Sequence, residues 1–299
     1  MSEIRLFNIT GGRAKEVQSV AFKLERELQR LFENNLEALL GVKFVASEFP
    51  TNNGGRMDTL GIDENGFPVI IEYKLDKNRT VINQGMFYMA WLRSHNAEFW
   101  KIVLEKLGRD IADSIDSSSI RLICIASDFT REDLGAYELM PDNIDLVRYR
   151  RFGDSHLLLE RITVSDSEEP DSGLQTNGKT SWDKPFTQWL ENASPDIRDV
   201  YESLRQAILS QGEDVSEKQT KLYTAFKRIK NFATVTYANK TELNLYLHID
   251  PKQVELRDGL RDMSTIGHWG TGELEVRIKT QEDVKQSLSL IQRSYEGQL

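Results

Sequence analysis

Three side chains in the segment GGRMDTLGIDENGFPVIIEYK have types and spacing that could do hydrolytic chemistry: Asp58, Glu72 and Lys74. Side chains alternate along a strand, so Glu72 and Lys74 project from one face of PVIIEYK, with Ile71 and Tyr73 opposite. If Glu64-Asn65-Gly66 is a three-residue hairpin loop with Gly66 left-handed, Asp63 pairs with Phe67 and Asp58 with Glu72. A two-residue loop would put the two carboxylates on opposite faces instead. In the first register like charges oppose each other, which destabilises a hairpin unless a cation lies between them. Oxygen ligands with open positions suit Mg2+, or Mn2+ in its place. Such an ion would acidify a bound water and take up charge on a phosphoryl oxygen. Lys74, one pleat away, could orient the water or stabilise a pentavalent phosphorus. The chemistry implied is phosphodiester hydrolysis.

The elements around this hairpin must hold it. Residues 15–40 read as one long amphipathic helix, because Val17, Val20, Ala21, Leu24, Leu28, Leu31, Phe32, Leu36 and Leu39 recur at helical spacing. Gly41 ends it. Three strand-like runs follow: VKFVASEF, RMDTLGID and FPVIIEYK. A helix over 80–92 and another over EFWKIVLEKLG precede RLICIAS, a short strand apolar enough to be buried on both faces. Strands at IDLVRYRRF and HLLLERIT close an α/β core with a mixed sheet. Residues 165–180 are rich in Ser, Asp, Glu and Gly and read as an acidic flexible linker. Trp182, Phe186, Trp189 and Leu190 then form a short docking arm. A smaller α+β domain follows, with helices at IRDVYESLRQAILSQG and EDVKQSLSLIQRSYE and strands between them. The expected division is 1–164, 165–192 and 193–299.

Asp58, then fourteen residues further on Glu72-Tyr73-Lys74, resembles the PD-(D/E)XK nuclease signature, and the surrounding GRMDTLGID and PVIIEYK resemble its NucS/EndoMS-type and RecB-like branches. The resemblance covers residues 15–160; Met57 stands where the signature's name has proline. It implies a restriction-endonuclease-like mixed sheet flanked by helices and a Mg2+-dependent deoxyribonuclease. It implies catalytic roles for Asp58, Glu72 and Lys74. It also implies a glutamine on the following helix, matched by Gln84 with Tyr88 one turn on, and a glutamate on the opening helix. Glu25 fits that glutamate best, being flanked by Ala21, Leu28 and Phe32, and would join Asp58 and Glu72 as a metal ligand. Arg56 and Glu48 could line the same site, or form a surface salt bridge. QGEDVSEKQTKLYTAFKRIKNFA and DMSTIGHWGTGELEVRI resemble a C-terminal domain of unknown function that accompanies such nuclease-like halves.

In that domain Lys221, Lys227, Arg228 and Lys230 are interleaved with Tyr223, Phe226 and Phe232, a pattern that suits a surface tracking a nucleic-acid backbone. The alternative is a solvated helix face with its aromatics in the core. His268-Trp269 in a Gly-flanked loop could contact a ligand, but one histidine makes no metal site. The formal charge of −9 is spread over the chain, leaving neither half strongly basic, so contact with DNA must be local or helped by metal. The alternative reading is therefore a catalytically inactive nuclease-fold protein that binds nucleic acid or a partner. A lone cysteine, Cys124, in an apolar run excludes an intrachain disulfide or a cysteine-based zinc site. With no apolar run long enough for a membrane, the expected location is the cytoplasm. A homodimer, or a protein partner at the C-terminal domain, is left open.

Overall fold

The structure, a computed structural model, describes residues 4–52, 54–75, 81–137, 139–140, 143–162, 185–220, 222–239, 241–268 and 270–297. The chain divides into two compact units, Met1–Val164 and Ser165–Leu299.

The N-terminal unit opens on a hairpin where a helix was expected from residue 15. Strands β1 (Leu6–Thr10) and β2 (Arg13–Val17) pair antiparallel, from Leu6↔Val17 to Thr10↔Arg13. Gly11 and Gly12, at φ 59° and 76°, supply the two left-handed residues of its tight turn. Extended chain continues beyond it: the Val20 amide donates to the Arg151 carbonyl at 2.9 Å. The helix therefore shrinks to α1 (Glu25–Glu33) and α2 (Leu36–Leu40). Between them Asn35 Nδ2 donates to the Leu31 carbonyl at 2.8 Å, a side-chain bond that competes with helix propagation. Leu28, Phe32, Leu36 and Leu40 are buried, whereas Val20, Leu24 and Leu31 are exposed, so the long apolar stripe is not continuous. Gly41 does end the helical segment, at φ 63°.

Next come β3 (Val42–Thr51), β4 (Gly55–Asp63), β5 (Pro68–Lys74), α3 (Val81–Ser94), α4 (Asn96–Leu107) and α5 (Arg109–Asp113). They are followed by β6 (Arg121–Ala126), α6 (Arg131–Tyr137), β7 (Ile144–Phe152) and β8 (His156–Arg161). Strands β3 to β8 form one six-stranded sheet in chain order. Pairs β5–β6 and β6–β7 are parallel and the rest antiparallel, so the sheet is mixed and flanked by helices. The parallel pair β5–β6 needs a long crossover, which α3 to α5 provide. Ile70 and Leu122 pack with Val81, Ile82 and Leu92 of α3. Tyr73 meets Phe32 of α1 with ring centroids 5.7 Å apart. Strand β6 is buried along its whole length, as covering of both faces requires.

The β4–β5 register is Thr59↔Ile71, Leu60↔Ile70, Gly61↔Val69 and Ile62↔Pro68. The Asp63 amide donates to the Phe67 carbonyl at 3.0 Å, so Glu64-Asn65-Gly66 is a three-residue loop. Asp63 also ties the loop together: its Oδ1 accepts from the Asn65 and Phe67 amides at 2.9 and 3.0 Å. Its Oδ2 lies 3.7 Å from the buried Arg121 guanidinium, which pairs with buried Asp145 at 2.7 Å. Gly66 has φ +81°, and a Cβ there would stand 2.5 Å from the Ser114 carbonyl.

The C-terminal unit contains α7 (Pro185–Glu191), α8 (Pro195–Leu209), β9 (Ser216–Gln219), β10 (Thr224–Lys227), β11 (Asn231–Asn239) and β12 (Glu242–Leu247). Strands β13 (Leu260–Asp262) and β14 (Leu274–Ile278) and helix α9 (Gln281–Glu296) complete it. Its antiparallel sheet has the order β13-β14-β12-β11-β10-β9. Ser194 caps α8 and a Thr280–Asp283 capping box starts α9. One sheet face, with Ala233, Val235, Leu245 and Val276, packs on Leu204 and Ile208 of α8 and Ile291 of α9. Helix α7 belongs to this core rather than to the linker, because Phe186 is buried and stacks with Tyr237. The rest of the expected linker, and Trp182 in the arm, lie outside the described residues. No described helix is long and apolar enough to cross a membrane.

Gly66 offers a test of the hairpin. Gly54→Ala should cost about 1–2 kcal/mol, for it has φ +82° but open space around it. Gly66→Ala should cost about 2 kcal/mol more, because the Ser114 carbonyl must also move. Denaturant unfolding of the N-terminal unit measures both, and equal losses would refute the steric part of the argument.

Candidate active site

The regular ladder between β4 and β5 stops at Thr59↔Ile71, and beyond it two carboxylates take over the backbone donors. The Asp58 amide donates to Glu72 Oε1 at 3.2 Å, and the Tyr73 amide donates to Asp58 Oδ2 at 3.0 Å. The two acids thus face one another across the hairpin end. Glu72 is fully buried, and its Oε2 has no hydrogen-bond partner. Burial, then the neighbouring Asp58 charge, pushes the Glu72 carboxyl up to about 9. Burial also raises Asp58, against the lowering effect of the Tyr73 amide and Lys74. A neutral Glu72 is what a low-dielectric pocket imposes when burial and the Asp58 charge outweigh the attraction of Lys74.

Lys74 follows on the same strand, with its side chain 15% exposed. Its ammonium donates to Glu25 Oε1 at 3.1 Å, an ion pair that brings the first turn of α1 to the site. Glu25 therefore serves the lysine. Among the described residues no three His, Cys, Asp or Glu side chains gather closely enough to hold a metal ion, so the expected triad with Glu25 as a ligand is not assembled. The pair that remains, Asp58 and Glu72, does fit a divalent cation: it offers carboxylate oxygens, and one of them is buried without a partner. Mg2+ commonly takes one or two protein carboxylates and keeps water elsewhere.

Two further residues of α1 reach β4. Gln29, buried, donates through Nε2 to the Asp58 carbonyl at 2.8 Å and to Glu33 Oε1 at 3.0 Å. Glu33 Oε1 in turn accepts from Thr59 Oγ1 at 2.7 Å. Glu25, Gln29 and Glu33 are spaced four apart, so they form one polar row along the helix. That spacing was the available signal for Gln29, which reading single acids for metal ligands passes over.

Gln84 donates through Nε2 to the Tyr88 hydroxyl at 3.3 Å, and that hydroxyl accepts from the Arg56 amide at 2.9 Å. The Gln84–Tyr88 pair thus docks α3 on the start of β4, two residues before Asp58. Gly55 makes room for it, since a Cβ there would lie 2.9 Å from the Tyr88 ring. The Arg56 guanidinium is paired with Glu48, as in the surface salt-bridge alternative. The basic cluster of the C-terminal unit does not form an exposed stripe. Lys227 is buried on β10, and Arg228 is paired with Asp214 at 2.5 Å and lies over the Tyr295 ring. Lys230 is half-buried, Phe226 and Phe232 lie in the core, and Lys221 is outside the described residues. The segment is a strand in a sheet, so its alternate side chains turn inward.

Residues 186–298 match the family described as Domain of unknown function (DUF5655). An uncharacterized protein of Haemophilus influenzae is 29% identical over 303 residues, with 97% of this chain and 99% of the relative covered. Among solved structures, the chain is similar to a repair endonuclease from Pyrococcus abyssi, at 20% identity and a TM-score of 0.29. That similarity covers 43% of this chain and 48% of the other. It is also similar to EndoMS in a complex with double-stranded DNA, at 23% identity and a TM-score of 0.25, over 44% of this chain and 48% of that one. This chain thus spans less than half the length of either solved protein.

Proposed function

We propose that the N-terminal unit hydrolyses phosphodiester bonds in DNA, as an endonuclease that uses Mg2+ or Mn2+ at Asp58 and Glu72. The observation that carries this is Glu72: a fully buried carboxyl with an unpartnered oxygen, opposite Asp58 and one pleat from a lysine. Asp58 and Glu72 would hold the cation, which supplies positive charge for a phosphoryl oxygen and acidity for a water. Lys74, held in place by Glu25, would present an ammonium to the oxygens on the attacked phosphorus, where negative charge builds up. Gln29 and Glu33 fix β4 against α1, so that Asp58 keeps its position. The signature resemblance around Asp58, Glu72 and Lys74 supports the same assignment. The formal charge of −9 favours a second reading, a nuclease-fold protein that holds nucleic acid without cutting it.

Cleavage of labelled duplex and single-stranded DNA by the purified full chain, with Mg2+ or Mn2+, separates the two. Asp58→Ala and Lys74→Ala should each lower the rate at least about a hundredfold. Equal activity in Asp58→Ala would sink the mechanism. DNA retained without any cleavage by the unaltered protein would establish the second reading.

The Glu72 carboxyl makes a separate prediction about stability. Its folded pKa lies above the unfolded value, so the native state binds the extra proton and stability falls as pH rises from about 5 towards 9. Without a divalent cation, Glu72→Gln should be more thermostable than the unaltered chain near pH 9. The gap should be several degrees, since 1 kcal/mol is worth roughly 2–4 °C in chains of this size. Added Mg2+ or Mn2+ should raise the melting temperature of the unaltered chain but not of Glu72→Gln. A variant that melts with the unaltered chain at every pH would refute the buried neutral carboxyl.

A further inference from the structure

The C-terminal unit buries one face of its sheet under α8 and α9, and its other face carries polar side chains. Cross-strand pairing sets Asn244 beside Arg277, and both Tyr246 and Arg261 beside Glu275, on that second face. A cleft of about 590 Å3 opens there, walled on one side by the loop bearing His268. Glycines press this loop against the sheet. A Cβ at Gly270 would stand 2.5 Å from Thr234 Oγ1, and that hydroxyl donates to the Thr271 carbonyl at 3.1 Å. The loop is thereby held so that the His268 imidazole stacks on Tyr246, with centroids 4.3 Å apart.

The hydrogen bonds of the cleft leave a specific remainder. The Tyr246 hydroxyl, kept protonated because burial pushes it up to about 12, donates to Glu275 Oε2 at 3.0 Å. Asn244 spends its amide nitrogen on the Tyr246 hydroxyl at 3.1 Å, which leaves its Oδ1 buried without a partner. His268 Nδ1 faces the Ile266 carbonyl at 2.9 Å and so carries the ring proton, because a carbonyl can only accept. His268 Nε2 is then an acceptor, and it too is buried without a partner. The two orphaned acceptors call for a ligand with two donors, since unmet buried acceptors are costly, whereas Glu275 is already met by Tyr246 and Asn244. Arg261 and Arg277 lie exposed at the rim, where forked donors suit phosphate.

We propose that this cleft binds a nucleotide through a base edge carrying two hydrogen-bond donors, and that guanine is preferred. Guanine alone among the common bases has adjacent N–H and amino donors on its pairing edge; adenine and cytosine offer an amino group, and uracil or thymine a single N–H. Such an edge meets the Asn244 and His268 acceptors, the aromatic stack flanks the base, and the rim arginines take the phosphate. The same chemistry could come from a free mononucleotide or from an unpaired base in a strand. This inference concerns the C-terminal unit and does not rest on the cleavage reaction.

Calorimetric titration of the full chain with GMP, IMP, AMP, CMP and UMP tests it. IMP keeps the ring N–H but lacks the amino group, so it should bind about tenfold more weakly than GMP. His268→Ala, in a loop, and Arg261→Ala, at the rim, should each weaken GMP about tenfold without lowering the melting temperature. A thymine oligonucleotide with one guanine that competes with GMP assigns the site to a strand; failure to compete assigns it to the free nucleotide. No GMP binding at millimolar concentration, or affinity that is equal for GMP and UMP and unmoved by His268→Ala, overturns the proposal.

Discussion

Because side chains alternate along a strand, a one-residue slip of β4 against β5 would send Asp58 and Glu72 to opposite faces, and the register is held by Asp63. Its backbone closes the hairpin on Phe67, and its carboxylate binds two amides of the loop. Its second oxygen faces an arginine on β6, which is in turn paired with Asp145 on β7. The last residue of β4 is thereby tied to β6 and, through Arg121, to β7. Arg121 is the centre of this buried cluster, since it faces both Asp63 and Asp145, and Asp145 is further paired with Arg161. What fixes the distance between the two acids thus lies at the far end of the hairpin from them.

The acids themselves are arranged as replacements for backbone. At the end of the ladder each accepts an amide from the other strand, which explains how two like groups can sit together in a buried place. The arrangement gives one oxygen of each acid an amide donor and leaves Glu72 Oε2 buried without one. Helix α1 adds a polar row that touches Lys74, the Asp58 carbonyl and Thr59 in succession. The site is therefore held from the hairpin, from α1 and, through Tyr88, from α3.

Much of this was legible in the residues. The loop length, the fully buried β6, the helices after β5 and, in the C-terminal unit, α8, α9 and strands β10, β11, β12 and β14 follow from period and punctuation, whereas the short edge strands β9 and β13 carry too little pattern to be read. In the opening segment Val17, Val20, Ala21 and Leu24 mimic a helical stripe, yet β2 ends on Val17 and α1 begins only at Glu25. The competing signal was the Gly11-Gly12 pair flanked by short runs that form a hairpin, and tertiary pairing with β7 decided the outcome. Glu25 was placed at the site by resemblance, yet its bond to Lys74 depends on where α1 starts, which no spacing reveals. Lys227 and Arg228 looked like a basic surface because a sequence does not show which face of a strand turns inward. The Asn244 and His268 acceptors could not be read at all, since they are defined by bonds that neighbours make or fail to make.

The neutral state of Glu72 changes how the chain's charge should be counted. The formal −9 assigns a negative charge to every acid, but an acid with a pKa of about 9 carries its proton at neutral pH. The protein is then one unit less negative than its composition states, and the missing unit is missing at the hairpin. A polyanion approaching that place meets less repulsion than the sequence implies. The full negative charge develops there only as the pH approaches about 9, so the local field is set by protonation as much as by composition.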